Sequence, residues 1–107
     1  MRVRVCPLAD VEVASSLRVE LEALDLLLAV VRVSDTEVKV IDDTCSHAEY
    51  SLSDGPCDLD EMTIECGKHG ALFSLLDGTP QSLPATKPVN AYESFIVDDF
   101  VEIEVEV

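Results

Sequence analysis

This sequence predicts an all-β fold: an antiparallel sandwich or barrel that carries a small lobe over about 43–75. Three observations predict it. Apolar and charged residues alternate at period two in separate runs at 2–5, 17–22, 37–41 and 101–107. Turn-forming clusters punctuate the chain at Ser34-Asp35-Thr36, Ser53-Asp54-Gly55-Pro56, Asp77-Gly78-Thr79 and Asp98-Asp99. Pro80, Pro84 and Pro88 make the stretch around them stiff and non-helical. The 107 residues hold no internal repeat and no linker, so one domain over 1–107 is expected.

Taken in order, Arg2–Val5 reads as a half-buried strand that Pro7 ends, and Leu8-Ala9-Asp10 opens a connection. Two signals conflict over Ser15–Ala29. Leu, Glu and Ala dominate there without Gly or Pro, and local propensity alone gives a helix. Yet Leu17, Val19 and Leu21 alternate with Arg18, Glu20 and Glu22, and Leu26–Val33 is apolar and valine-rich towards its end. That pattern gives two strands joined by a tight turn near Ala23–Asp25. Glu37–Ile41 is the next strand. Residues 48–62 form a long connection, a length that in a compact domain usually serves function. Thr63–Glu65 and Leu72–Ser74 are short strands, and Glu93–Val97 with Phe100–Val107 forms a terminal hairpin. Glu102, Glu104 and Glu106 line the solvated face of the last strand and discourage edge pairing.

Apolar residues make up 48% of the chain and Trp is absent, so the expected core is a modest one of Val and Leu. The formal net charge is −15, which excludes nucleic acid and anionic membranes as partners and favours basic protein surfaces. Between Lys39 and Lys68 there is no Lys or Arg. That interval holds Asp42, Asp43, Glu49, Asp54, Asp58, Asp60, Glu61 and Glu65. Met1 leads into a polar strand-like segment, and the longest apolar run, Leu26–Val31, is far too short for a membrane span. A cytoplasmic location is therefore expected.

The acidic interval overlaps the residues that carry chemistry. Cys45-Ser46-His47 is followed, after 18 residues, by Cys66-Gly67-Lys68-His69. Each group offers one thiolate and one imidazole at loop spacing, and together they use both histidines of the chain. Four soft or borderline donors on two loops make a metal site. A structural Cys2His2 zinc is one reading. Zinc fingers, however, group like ligands together and set the histidines on a helix, and no helix is expected after His69. The other reading is an iron–sulfur cluster in which two imidazoles replace two thiolates on one iron.

The pattern Cys-x-His, a gap, then Cys-x-x-His resembles the Rieske 2Fe–2S family. The likeness continues through Gly70-Ala71-Leu72-Phe73, Asp77-Gly78, Pro84-Ala85-Thr86-Lys87-Pro88-Val89 and Tyr92, an order similar to that of small bacterial Rieske ferredoxins. It is strong over 40–92 and weak over 1–35. The resemblance implies a Rieske-like antiparallel sandwich or barrel with a cluster-binding lobe, and so strands over 15–29. It implies one 2Fe–2S cluster per chain. Cys45 and Cys66 would hold the inner iron, His47 and His69 the outer iron, and the proline-rich loop would cover the cluster.

Mixed ligation places such centres at about −150 to +300 mV. High-potential members carry a disulfide between the two ligand loops; the matching positions here are Tyr50 and Lys68. Their serine and tyrosine hydroxyl donors correspond to Ala71 and Phe73. Fewer donors to sulfur point to the low end of the range, and the acidic surroundings favour the oxidised state as well. Gly67 and Gly70 are expected to supply loop conformations closed to other residues. Tyr50 is expected to pack over the loop and Phe73 to lie in the core, while Lys68 is either a counter-charge or a solvated lysine. Cys6 and Cys57 are read as free thiols in a reducing compartment. A Cys6–Cys57 disulfide, or Cys57 as an alternative ligand, is the lesser reading.

No nucleophile–base pair and no phosphate loop is present. Any catalysis is therefore expected to belong to a partner. The resemblance implies an electron carrier and not an enzyme, passing single electrons from a reductase to a non-heme iron oxygenase, such as a dioxygenase, or to another redox enzyme, through basic docking surfaces on those partners. The alternatives are a small Rieske subunit of a nitrite-reductase-like complex, or a zinc-stabilised interaction module without redox activity.

Overall fold

The computed structural model describes residues 1–45, 51–66, 70–81 and 87–105. Their strands are β1 (Arg2–Pro7), β2 (Ser15–Leu21), β3 (Leu26–Arg32), β4 (Val38–Asp42), β5 (Cys57–Asp58), β6 (Thr63–Glu65), β7 (Leu72–Ser74), β8 (Ala91–Tyr92), β9 (Ser94–Val97) and β10 (Phe100–Glu104). All pairings are antiparallel, in three sheets ordered β1-β10-β9, β2-β3-β4-β8 and β5-β6-β7.

The alternation over 17–22 prevails over helix propensity. Strand β2 pairs with β3 from Ser15↔Arg32 to Leu21↔Leu26, and a 3-10 turn at Glu22–Leu24 with Asp25 in the left-handed region closes the hairpin. The reason is burial. At period two Leu17, Val19 and Leu21 all pack on one side against a core, whereas a helix would scatter them around its circumference.

Strand β3 has no polar residue before Arg32 because both its faces are covered. Leu28, Ala29, Val30 and Val31 are all fully buried. Leu28 and Val30 belong to one core with Val5, Val11, Val40 and Ile103. Ala29 and Val31 belong to a second core with Ile41, Leu52, Ile64, Phe73 and Leu75. The first core fills the sandwich; the second underlies the lobe formed by β5, β6 and β7. Burying each such aliphatic side chain stabilises the fold by about 1.5–3 kcal/mol.

Strand β1 runs past Val5 to Pro7 because its register shifts between Arg4 and Cys6. The bulge lets Val5 and Cys6, neighbours in sequence, both turn inward. Arg32 binds the next turn to the sheet: its guanidinium donates to the carbonyl of Val11 at 3.0 Å and of Ser34 at 3.3 Å. The terminal hairpin turns on Asp98 (φ 50°) and Asp99 (φ 65°), both left-handed as a two-residue hairpin of the right twist demands. Strand β9 begins at Ser94, and Glu93 separates it from β8. Within the described part of the connection over 48–62, the turn expected at 53–56 begins as a 3-10 turn at Leu52–Asp54, and the two-residue strand β5 is an element not foreseen. It is too short to show periodicity. Among the described residues no helix is long and apolar enough to cross a membrane.

Because Leu28 faces a closed core, Leu28→Ala is expected to lower stability by about 2–5 kcal/mol. Urea unfolding should show this as an earlier midpoint with an unchanged slope.

Candidate metal centre

Strand β4 and its continuation place Cys45. Ile41, Asp43 and Cys45 recur at period two and all point inward, at 0%, 0% and 3% exposure. Strand β6 places Cys66 in the same way, two residues after the fully buried Ile64. Both thiols lie in the second core, among Leu52, Ala71, Phe73 and Val89. The chain is pinned beyond each cysteine. Thr44 bridges Ser51, and the Leu52 amide donates to the Asp43 carbonyl at 2.6 Å. On the other side the Cys66 amide donates to the Ala71 carbonyl at 2.7 Å, and the Gly70 amide to the Cys66 carbonyl at 3.0 Å. Gly70 has φ +70°, the conformation expected of it.

His47 and His69 lie outside the described residues, as do Tyr50, Gly67, Lys68 and the Pro84–Thr86 part of the proline-rich stretch. Phe73 is fully buried, as expected.

No disulfide joins the four cysteines. Cys6 sits in the sandwich core and Cys57 at the margin of the lobe core. Burial, and then the nearby Asp10 charge, raises the Cys6 thiol to about 11. Burial also raises Cys57, partly offset by a hydrogen bond with Ser16. Both therefore stay protonated near neutrality.

Asp43 is a residue that sequence reasoning counted only as one more acid. Its carboxylate is fully buried. The Ser51 hydroxyl donates to Oδ2, the Ser53 amide donates to Oδ1 at 2.9 Å, and the Arg18 Nε lies 3.5 Å from Oδ2. The available signal was its period-two relation to Ile41 and Cys45. Beside it Asp42 points the other way, accepting from the Tyr92 hydroxyl at 2.7 Å and the Asn90 amide at 3.1 Å. Burial, followed by the bond to Asp42 and the charge of Asp42, raises the Tyr92 phenol.

Other acids of the lobe, among the described residues, face outward. Asp54, Asp58, Asp60 and Glu61 are exposed. Asp58, Glu61 and Glu65 line an open groove of about 410 Å³ on the β5–β6–β7 sheet. The lobe thus combines a dry interior, holding two sulfur donors, with an acidic exterior.

A family model for the Rieske [2Fe-2S] domain matches residues 1–93. The chain belongs to this Rieske family. It is 37% identical over 91 residues to the 3-phenylpropionate/cinnamic acid dioxygenase ferredoxin subunit of Shigella flexneri serotype 5b, covering 85% of this chain and 81% of the relative. The ferredoxin of carbazole 1,9a-dioxygenase from Nocardioides aromaticivorans IC177 superposes with a TM-score of 0.89 at 28% identity, covering 99% of both chains. A third match is a chain in a complex of reduced oxygenase and oxidized ferredoxin in carbazole 1,9a-dioxygenase, with a TM-score of 0.82 and 31% identity over 98% of this chain and 97% of that one. The expected Rieske-like all-β fold is therefore the observed one. The cofactor of this Rieske chain is a 2Fe–2S cluster. The two cysteines fit that group: soft sulfur donors, buried together in an apolar core from which water is excluded. The chain is an electron carrier and not itself a catalyst.

Three outcomes follow from the spare thiols and from Tyr92. Cys57→Ser is expected to leave the visible spectrum unchanged, and Cys6 should alkylate slowly at pH 7.5, faster as the pH approaches 11. The raised Tyr92 value stabilises the fold fully below the ordinary tyrosine value of 10.0, and that contribution is lost as pH rises through the folded-state value. Tyr92→Phe should flatten the alkaline limb of a stability–pH curve measured by chemical unfolding.

Proposed function

We propose that this Rieske protein is a ferredoxin that takes one electron at a time from a reductase and delivers it to the terminal component of a non-heme iron oxygenase system. The observation that carries the reading is the pair of buried cysteines on two pinned chain segments, in a fold whose relatives are ferredoxin subunits of dioxygenases. In this reading Cys45 and Cys66 hold the inner iron and His47 and His69 the outer one. The bound cluster supplies a centre that gains and loses a single electron.

The chain's own residues do the rest. The apolar core around Phe73 and Leu75 keeps water from the cysteines. Ala71 and Phe73 are buried and carry no hydroxyl, which favours a potential at the low end for mixed ligation. The outward carboxylates Asp58, Glu61 and Glu65 match basic docking surfaces on a reductase and on an oxygenase, and a field of this sign speeds encounter with them. A single domain over 1–107 working in the cytoplasm, where Cys6 and Cys57 stay reduced, completes the proposal. The ferredoxin relatives favour neither a nitrite-reductase-like subunit nor a zinc-stabilised interaction module.

Purified protein should be red-brown, hold two irons and two acid-labile sulfides, and give an axial paramagnetic resonance signal after reduction. His69→Cys should shift that signal towards an all-cysteine type or lose the cluster. Raising ionic strength from 0.01 to 0.15 M should slow reduction by the reductase, as the Debye length falls from about 30 to about 8 Å. A colourless protein with one zinc per chain would refute the proposal.

A further inference from the structure

We propose that Asp43 is a positioning residue for the cluster and that, with Arg18 as its counter-charge, it lowers the reduction potential. The inference rests on the electron-carrier reading above.

The connections of Asp43 are those of a brace. Its carboxylate joins Ser51 and Ser53 on the far side of the first cysteine segment to Arg18 on β2. Its backbone is bonded on both sides: its amide donates to the Leu27 carbonyl at 2.9 Å and its carbonyl accepts from Leu52. The Ser16 hydroxyl donates to the Ser53 carbonyl at 2.8 Å, a second tie from β2 to the same turn. That turn ends at Gly55, where a Cβ would stand 1.7 Å from the Glu65 carbonyl oxygen, one residue before Cys66. The Glu65 amide donates to the Pro56 carbonyl at 2.9 Å. A continuous path of bonds and close contact therefore runs from Asp43 to the strand that delivers the second cysteine.

Hydrogen bonding alone would not require a charge. Asparagine could accept from the Ser53 amide and bond Ser51 without the desolvation cost of a buried carboxylate. The charge present is incompletely neutralised, because Arg18 is 60% exposed and meets it at 3.5 Å. A buried carboxylate two residues from Cys45 opposes the arrival of an electron, and the solvated Arg18 offsets that field only in part. Asp43 should thus lower the potential and Arg18 raise it. A purely mechanical brace would leave the potential where it is.

The test compares midpoint potentials and iron content of the wild type, Arg18→Gln and Asp43→Asn. Arg18 is on the surface, so R18Q is expected to keep its cluster and show a lower potential than wild type, with the difference shrinking at high salt. D43N, loaded with cluster, should show a higher potential. Cluster-loaded R18Q and D43N at the wild-type potential would overturn the inference, and if D43N loses its cluster, R18Q decides alone. A wild type lacking the Rieske spectrum overturns the electron-carrier reading and this inference with it. A wild type that has the spectrum, beside variants of unmoved potential, overturns only the inference.

Discussion

Two-sided burial of Leu28, Ala29, Val30 and Val31, the middle of β3, is the constraint on which the rest of the structure depends. A strand with both faces covered must have a core on each side, and here the two cores differ in role. One closes the sandwich. The other supports the lobe and contains both buried cysteines. Strand β4, paired to this wall, carries the same division forward: Val38 and Val40 face the sandwich core, and Ile41 faces the lobe core. Continuing at period two, the chain brings Asp43 and Cys45 to the lobe side. The position of the first thiol is thus inherited from the pairing of β3 with β4.

The lobe itself sets an apolar interior against an acidic surface. Water-excluding packing around Cys45 and Cys66 suits sulfur ligation of iron and strengthens every nearby charge. Asp54, Asp58, Asp60 and Glu61 face outward, and Asp43 is the aspartate that faces inward. Its cost is offset by two hydroxyl and amide donors and one guanidinium. The same residue that closes the segment bearing Cys45 therefore also brings an electrostatic bias to it.

Several features were legible because they depend on neighbours in sequence. Period two marked the strands, and Asp98-Asp99 marked the terminal turn because aspartate tolerates the left-handed region. The buried phenylalanine, Phe73, was legible too, as an aromatic in a short apolar strand. Others were hidden. Helix propensity over 15–29 pointed the wrong way, since propensity is worth less than burial of Leu17, Val19 and Leu21 against a distant segment. The bulge at Val5 and the two-residue β5 leave no periodic trace. The partners of Asp43 come from β2 and from a turn ten residues on, and nothing local announces them.

By itself the sequence determined the fold class, the two pairs of candidate ligands and the acidic character of the lobe, because these are properties of local pattern and composition. The tertiary structure alone decided that Cys6 and Cys57 belong to different cores and form no disulfide. It also decided that Cys45 and Cys66 share one core, and that one aspartate among many is buried and bonded across the lobe. Those outcomes depend on which strands pair and which faces meet, and such choices are made by burial between segments far apart in the chain.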